Sequence, residues 1–284
     1  DHRSIKRIDF VFHLEKAIEN GEFEVYYQPI IHTISGSLCG FEALVRWHHP
    51  KLGFLTPLQF LPSLEETKQI YHLDIHIIEK VCQWYALLKA ANKPVVPVSV
   101  NLSRSDFESE DMFRVVEAMT GKYGVPRNML NIEITESAFS ERESLMASNV
   151  EKFRNAGYQL KIDMGFLSDM SLKSKRIIRS IISMAKDISM VTVVEGVETQ
   201  EQVEFLKNIG CDRMQGYYFS KPLPYEELLP LLSEKGIAFE TEEDRQYYHE
   251  INRINLLSPS PFTILETGIE KRRDGIPLAI LEKN

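Results

Sequence analysis

Leu38-Cys39-Gly40-Phe41-Glu42-Ala43-Leu44-Val45-Arg46-Trp47 reads as a β-strand with a carboxylate set inside an apolar run. Outward from it, strand-like and helix-like segments alternate. Upstream, Phe23-Glu24-Val25-Tyr26-Tyr27 is β-branched and aromatic and stops at Gln28-Pro29. Downstream, Thr56-Pro57 opens a helix with proline in its favoured first turn. Between Leu73 and Ala91, Ile77, Ile78, Val81, Trp84, Leu87 and Leu88 recur at helical spacing. Further strands are expected at Val95–Val100, Leu130–Thr135, Tyr158–Ile162, Val191–Val194 and Met214–Phe219. Further helices are expected from Ser105 towards Gly121, from beyond Thr135 to Ala156, over Lys173–Ile188 and over Pro224–Leu232. One more runs over Thr199–Ile209, where Gly210 ends it.

Strands alternating with helices through short loops give a parallel α/β architecture. A (β/α)₈ TIM-type barrel of roughly 250 residues is the size match for the 284-residue chain. The strand signals number seven rather than eight, and the thin place lies between Gly157 and Phe166. Residues 1–20 read as a linker helix, 21–238 as the main domain, and 239–284 as a helical connector leading to the start of a further module. Ser258-Pro259-Ser260-Pro261 reads as a linker within that tail.

Composition narrows the function. A hydrophobic fraction of 43% and a charged fraction of 26% are those of an ordinary globular protein. No apolar run approaches the ~18 residues of a membrane-spanning helix, and no signal peptide opens the chain. The net charge of −8 argues against binding a nucleic-acid polymer, although a nucleotide ligand is compatible with it. Three scattered cysteines, Cys39, Cys82 and Cys211, point to a reducing compartment and to no zinc cluster.

The chemistry is carried by polar residues at strand ends, where a barrel builds its active site. Glu42 interrupts its apolar strand, Asn101 follows Val98-Ser99-Val100, and Glu133 lies in Leu130–Glu136. Lys161 and Asp163 flank Ile162, Glu195 and Glu198 follow Val193-Val194, and Gln215 lies at the last strand. Each is weak evidence alone. Several acids converging on one rim would repel unless a cation sits among them. Oxygen-only donors favour Mg²⁺ or Mn²⁺ over zinc, and such ions suit phosphoryl chemistry. The residues alone give a metal-dependent hydrolase on an α/β barrel.

Glu42-Ala43-Leu44 with Val45-Arg46-Trp47 resembles the EAL signature. Tyr27-Gln28-Pro29-Ile30, Asn101-Leu102-Ser103, Glu133-Ile134-Thr135-Glu136-Ser137, Lys161-Ile162-Asp163, Glu195-Gly196-Val197-Glu198-Thr199 and Gln215-Gly216-Tyr217 through Lys221-Pro222-Leu223 follow in the family's order. The resemblance is to the bacterial EAL-type cyclic di-GMP phosphodiesterases, over about residues 20–235. It implies a modified (β/α)₈ barrel that hydrolyses cyclic di-GMP to linear pGpG with Mg²⁺ or Mn²⁺ at a two-metal site. It further implies a cytoplasmic signalling protein, a homodimer, and tethering to diguanylate-cyclase-type or sensory domains. By resemblance, Glu42, Asn101, Glu133 and Asp163 are metal-side residues, Lys161 orients the attacking water, and Glu195 is the general base or a metal partner. Gln28, Leu44, Arg46, Gln215 and Pro222 contact substrate, while Glu136 and Glu198 position the metal-side loop.

One departure is large. The family carries an Asp-Asp-Phe-Gly motif after its fifth strand, then a helix, then the lysine strand. Here Gln159-Leu160 runs straight into Lys161-Ile162-Asp163. On the order of 25 residues, one βα unit, are missing between Leu160 and Lys161. If the deletion is real, the bridging aspartates are gone and the domain binds cyclic di-GMP or a protein without turnover. The alternative expectation, favoured by the intact remaining positions, is a segment that belongs to the protein but is absent from these 284 residues. Excision would expose barrel core at a cost exceeding the ~5–15 kcal/mol of typical domain stability.

Overall fold

A computed structural model describes residues 13–103, 106, 111–134, 151–162, 171–187, 191–241, 243–245 and 247, with backbone alone at 134, 160–162 and 187. Helix α1 (13–19) leads into strands β1 (Phe23–His32), β2 (Leu38–His49) and β3 (Gly53–Leu55). Helices α2 (Pro57–Glu66) and α3 (Ile70–Ala90) precede β4 (Val98–Leu102), α4 (Met112–Tyr123) and β5 (Leu130–Ile134). Then come α5 (151–156), β6 (Leu160–Ile162), α6 (Leu172–Asp187), β7 (Val193–Val194), α7 (Gln200–Asn208), β8 (Arg213–Gln215) and α8 (Tyr225–Glu234).

The strands form one sheet in the order β6-β5-β4-β2-β1-β8-β7, with β3 attached to β2. That path holds the seven strands expected, and β3 is an added hairpin arm. β1 runs antiparallel to both β2 and β8, while the β2–β4, β4–β5, β5–β6 and β7–β8 pairs are parallel. β1 runs five residues beyond the expected stop, straight through Pro29. The Tyr27 N–H donates to the Leu223 carbonyl, away from β2. By alternation Pro29 would point its absent N–H the same way, between the Leu223 bridge and the first β8 pairing at Ile30, so no ladder bond is lost. Conversely, Val95 and Val96 do not join β4, because they lie between Pro94 and Pro97 and regular pairing starts only at Val98.

Leu160 and Lys161 are successive residues of the single strand β6. That strand pairs with β5 through Ile132↔Leu160, Glu133↔Lys161 and Ile134↔Ile162. The lysine strand thus takes the place beside β5 where the aspartate strand was expected. Among the described residues no strand bridges β6 and β7, and the sheet curls as a partial barrel, open on that side.

The core lies between the sheet and its helices. Trp47, fully buried, packs on Phe23 at 4.8 Å and Phe60 at 5.4 Å, and its Nε1 donates to Glu22 Oε2 at 2.9 Å. Leu14 and Ala17 of α1 are buried in the same cluster. Beyond α8 the chain returns to the sheet, where the Leu38 N–H donates to Ala238 O and the Glu240 N–H to Leu38 O. The ladder therefore reaches Glu240. Of the tail beyond it only 241, 243–245 and 247 are described, so the proline-rich linker and the final apolar stretch lie outside the described residues. All three cysteines are free thiols and buried, and burial pushes Cys82 and Cys211 up to about 12. Among the described residues no helix is long and apolar enough to cross a membrane.

One buried acid pair ties α3 to the turn after β4. Asp106 accepts the Ser103 N–H at 2.5 Å and hydrogen-bonds the carboxyl of Asp74. Two carboxyls can share such a bond only through a proton. Burial, opposed by the Asp74 and Ser103 hydrogen bonds, pushes Asp106 up to about 6, and burial with the Asp106 charge raises Asp74. Between its ordinary range and pH 6 the folded state therefore holds a proton that the unfolded chain has released. Stability falls as pH rises through that window. Asp106→Asn, whose amide donates without a shared proton, is expected to flatten this slope. It should also raise Tm by roughly 2–4 °C at pH 7.5, read by calorimetry across pH 4–8.

Candidate active site

Register builds the site. Gln28 stands opposite Glu42, Ile30 opposite Gln215, Glu42 opposite Ser99, and Asn101 opposite Glu133, which in turn is level with Lys161. Directly opposed residues share a face, as do alternate residues along a strand. Gln215, Gln28, Glu42, Asn101 and Glu133 therefore form one polar band across five neighbouring strands, with Lys161 in register at its end. The same two-residue period sends Leu44 and Arg46 to the face of Glu42, while Ala43, Val45 and Trp47 enter the core behind it.

Glu42 is the hub. Its Oε1 accepts Asn101 Nδ2 at 2.7 Å, and its Oε2 accepts Gln215 Nε2. Gln215 Nε2 also donates to Gln28 Oε1 at 3.0 Å, and Gln28 Nε2 donates to the Ser220 carbonyl at 3.2 Å. Neutral amides thus satisfy a carboxylate that is 7% exposed. Glu133 differs. It is 3% exposed and makes no hydrogen bond or ion pair with a described residue. A desolvated carboxylate left in that way is costly unless a cation joins it.

Those observations test the metal expectation. Glu42, Glu133 and the Asn101 amide oxygen are hard oxygen donors on adjacent strands, of the kind that Mg²⁺ or Mn²⁺ takes. Among the described residues no group of three His, Cys, Asp or Glu is placed to hold a metal ion. The donors present fit one side of such a site. Asp163, expected on its metal side, and Glu136, expected to position its loop, lie outside the described residues, and for Lys161 only the backbone is described.

Arg46 is buried against the Tyr26 ring, 5.4 Å from its centroid, and donates from Nη1 to Val45 O at 2.8 Å. Burial pulls its guanidinium below the ordinary range, with Tyr217, Tyr26 and Glu42 acting the other way. Pro222 is half-buried in the loop that the Gln28–Ser220 bond and the Tyr27–Leu223 bridge hold against β1. The half-buried Glu195 sits just past β7. Its loop is fastened to the end of β8, because the Val197 N–H donates to Gln215 O and the Tyr218 N–H to Val197 O. The Glu198 side chain is exposed. Its backbone N–H is held instead by Gln202 Oε1 at 2.7 Å, within the Thr199–Gln202 capping box of α7. Sequence reasoning passed over Tyr26 and Ser220. Tyr26 lies two residues before Gln28 and so on its face, a legible signal, whereas Ser220 acts through its carbonyl, which no residue type announces.

The EAL domain family model matches residues 13–164 and 159–222. The chain belongs to this family. The two matched stretches share residues 159–164, so the family pattern uses the β6 stretch twice, once on each side of the gap. The oxygen sensor protein DosP of Escherichia coli is 33% identical over 241 residues, covering 76% of this chain and 30% of DosP. Since 76% of 284 is about 216 residues, that alignment holds about 25 more positions than this chain fills, the size of one βα unit. MucR of Pseudomonas aeruginosa, named a bifunctional diguanylate cyclase/cyclic di-GMP phosphodiesterase, is 29% identical over 79% of the chain and 36% of its own length. The EAL domain here thus spans about a third of these relatives. The solved phosphodiesterase of PaMucR in complex with c-di-GMP superposes with a TM-score of 0.72 at 27% identity, over 78% of this chain and all of that one. The EAL enzyme Bd1971, bound to cAMP and cyclic di-GMP, gives 0.71 at 24% identity, over 81% of this chain and 69% of that one, and supports the barrel-type fold.

Gly216 is what lets the Glu195 and Gln215 ends meet. A Cβ there would lie 2.1 Å from the Val197 carbonyl oxygen and 2.3 Å from its nitrogen. Gly216→Ala is expected to cost about 1–3 kcal/mol as an overpacked contact, read as a lowered denaturant midpoint with an unchanged slope.

Proposed function

We propose that this EAL domain acts on cyclic di-GMP, hydrolysing it to linear pGpG by a water activated by Mg²⁺ or Mn²⁺ at a two-metal site. The observation that carries the reading is the continuous polar band from Gln215 to Glu133, with a buried carboxylate at one end that amides do not satisfy. Glu42, Asn101, Glu133 and Asp163 would hold the cation side, with Glu136 and Glu198 positioning its loop. Bound there, the ions would offset the carboxylate charge and lower the pKa of water. Lys161 orients the attacking water and Glu195 takes its proton. Arg46, whose planar fork matches a phosphate edge, binds the substrate with Gln28, Leu44, Gln215 and Pro222. The names of two relatives of this chain from Pseudomonas aeruginosa, MucR and the cyclic di-GMP phosphodiesterase NbdA, and the ligand in the PaMucR structure, support this substrate. The reading places the domain in the bacterial cytoplasm, as a homodimer tethered to a cyclase-type or sensory domain.

A second reading, capture of cyclic di-GMP without turnover, is favoured by one observation. Leu160 and Lys161 are consecutive in β6, so the aspartate pair expected between them is not in this chain. Calorimetric titration with cyclic di-GMP and chromatographic assay for pGpG with Mg²⁺ or Mn²⁺ separate the two. Saturable binding is expected, weakened about tenfold or more in Arg46→Ala, which removes a charge-assisted phosphate contact. Release of pGpG supports hydrolysis, and bound ligand recovered intact supports capture. Absence of any binding overturns both. An intact mass with peptide mapping across 157–166 establishes which chain was assayed.

A further inference from the structure

Trp47 pairs with Phe23 of β1 on one edge of β2 and with Leu55 of β3 on the other. β1 and β3 therefore flank the end of β2 from opposite edges. On the face of the polar band, Tyr26 stands opposite Leu44, Glu24 opposite Arg46, and Phe54 opposite His48. The rings of Tyr26 and Phe54 lean towards each other across β2, until their centroids lie 5.8 Å apart. The Arg46 guanidinium lies 5.4 Å from the Tyr26 centroid. Four residues of extended strand, roughly 13 Å, separate Arg46 from Glu42 at the hub of the band.

A single exposed aromatic needs no explanation, but Phe54 is held in place. Its ring meets the His48 ring edge-on at 5.4 Å, and His48 Nε2 lies 2.8 Å from Glu24 Oε2. Phe23 and Trp47, on the opposite face of the same strands, are fully buried, whereas Phe54 is 48% exposed. The Tyr26 and Phe54 planes are tilted by 47° rather than stacked, so the Phe54 face is not spent on Tyr26. A fixed, exposed ring near a buried cation suits a ligand that is flat at one end and anionic at the other. A nucleotide is such a ligand. Its phosphate oxygens match the planar fork of an arginine, and its base stacks on an aromatic face. A bare phosphate would use the arginine and leave both rings idle.

We infer that Phe54, with Tyr26 beside it, is a base-stacking ledge that takes one guanine of the cyclic dinucleotide while Arg46 holds a phosphate. The inference rests on cyclic di-GMP being the ligand. It extends the site beyond the polar band, onto the arm that β3 adds to β2.

Two readouts on the full chain test it. One is calorimetric affinity for cyclic di-GMP. The other is the fluorescence of a cyclic dinucleotide with 2-aminopurine in place of one guanine, which is quenched when that base stacks. Phe54→Leu keeps apolar bulk and loses the flat ring, and Phe54→Trp enlarges the ring. Affinity is expected to fall at least about fivefold in Phe54→Leu and to be held or raised in Phe54→Trp. Quenching at saturation should persist in Phe54→Trp and fall in Phe54→Leu, a change that a merely structural role would not produce. Because Phe54 is half-exposed, an unchanged thermal midpoint is expected in both variants. Equal affinity and equal quenching in Phe54→Leu overturn the inference and leave the proposed substrate standing. So does a loss of affinity in Phe54→Trp as deep as in Phe54→Leu. A chain that binds no cyclic di-GMP overturns both.

Discussion

The antiparallel pairing of β1 with β2 sets the position of everything else. It runs from Phe23↔Trp47 to Ile30↔Gly40 without a slip, and a shift of one residue would turn every side chain to the wrong face. On one face it stacks Phe23 and Trp47 into the core. On the other it puts Gln28 beside Glu42 and Tyr26 beside Arg46. Because β1 pairs with β2 on one side and β8 on the other, it brings the last strand within one strand of the second. Gln215 can then donate to the carboxylate of Glu42 across an intervening strand.

Around that pair the structure divides into a half that is internally satisfied and a half that is not. From β8 through β4, amides, a carboxylate and a backbone carbonyl complete one another's hydrogen bonds. Towards β5 and β6 the pattern breaks off at Glu133, a buried acid that none of these amides meets, beside a strand that merges two roles of the family pattern. The same shortening accounts for the open side of the sheet between β6 and β7 among the described residues. One missing βα unit thus touches both the chemistry and the outer wall, because in a barrel each unit contributes a strand end and a covering helix together.

Most of this was legible in the residues. The alternation of apolar runs with capping signals located the strands and helices, and the strand count exposed the shortfall before any coordinates. Glu42, Asn101 and Gln215 stood out as polar residues in apolar strands, and the sheet does bring them together. What the residues could not convey was sharing across distance. That Gln28 would be held by the carbonyl of Ser220, or that β6 would pair with β5 rather than leave that place empty, depends on backbone contacts between segments far apart in sequence. Pro29 misled in the opposite sense, since a proline stops a strand only where its N–H is needed. Gln202 holds the backbone N–H groups of Glu198 and Thr199 at the start of α7, and that role of a neutral amide has no signature in charge pattern.

The three buried thiols have a use unrelated to catalysis. Cys39 lies in β2, Cys82 in α3 and Cys211 at the entrance to β8, none of them reachable by solvent in the folded chain. A thiol reagent can mark each only when its own neighbourhood opens. The protein therefore carries three internal clocks, placed in the hub strand, in a covering helix and near the open side of the sheet. The order in which they are struck would record which part of the shortened barrel breathes first.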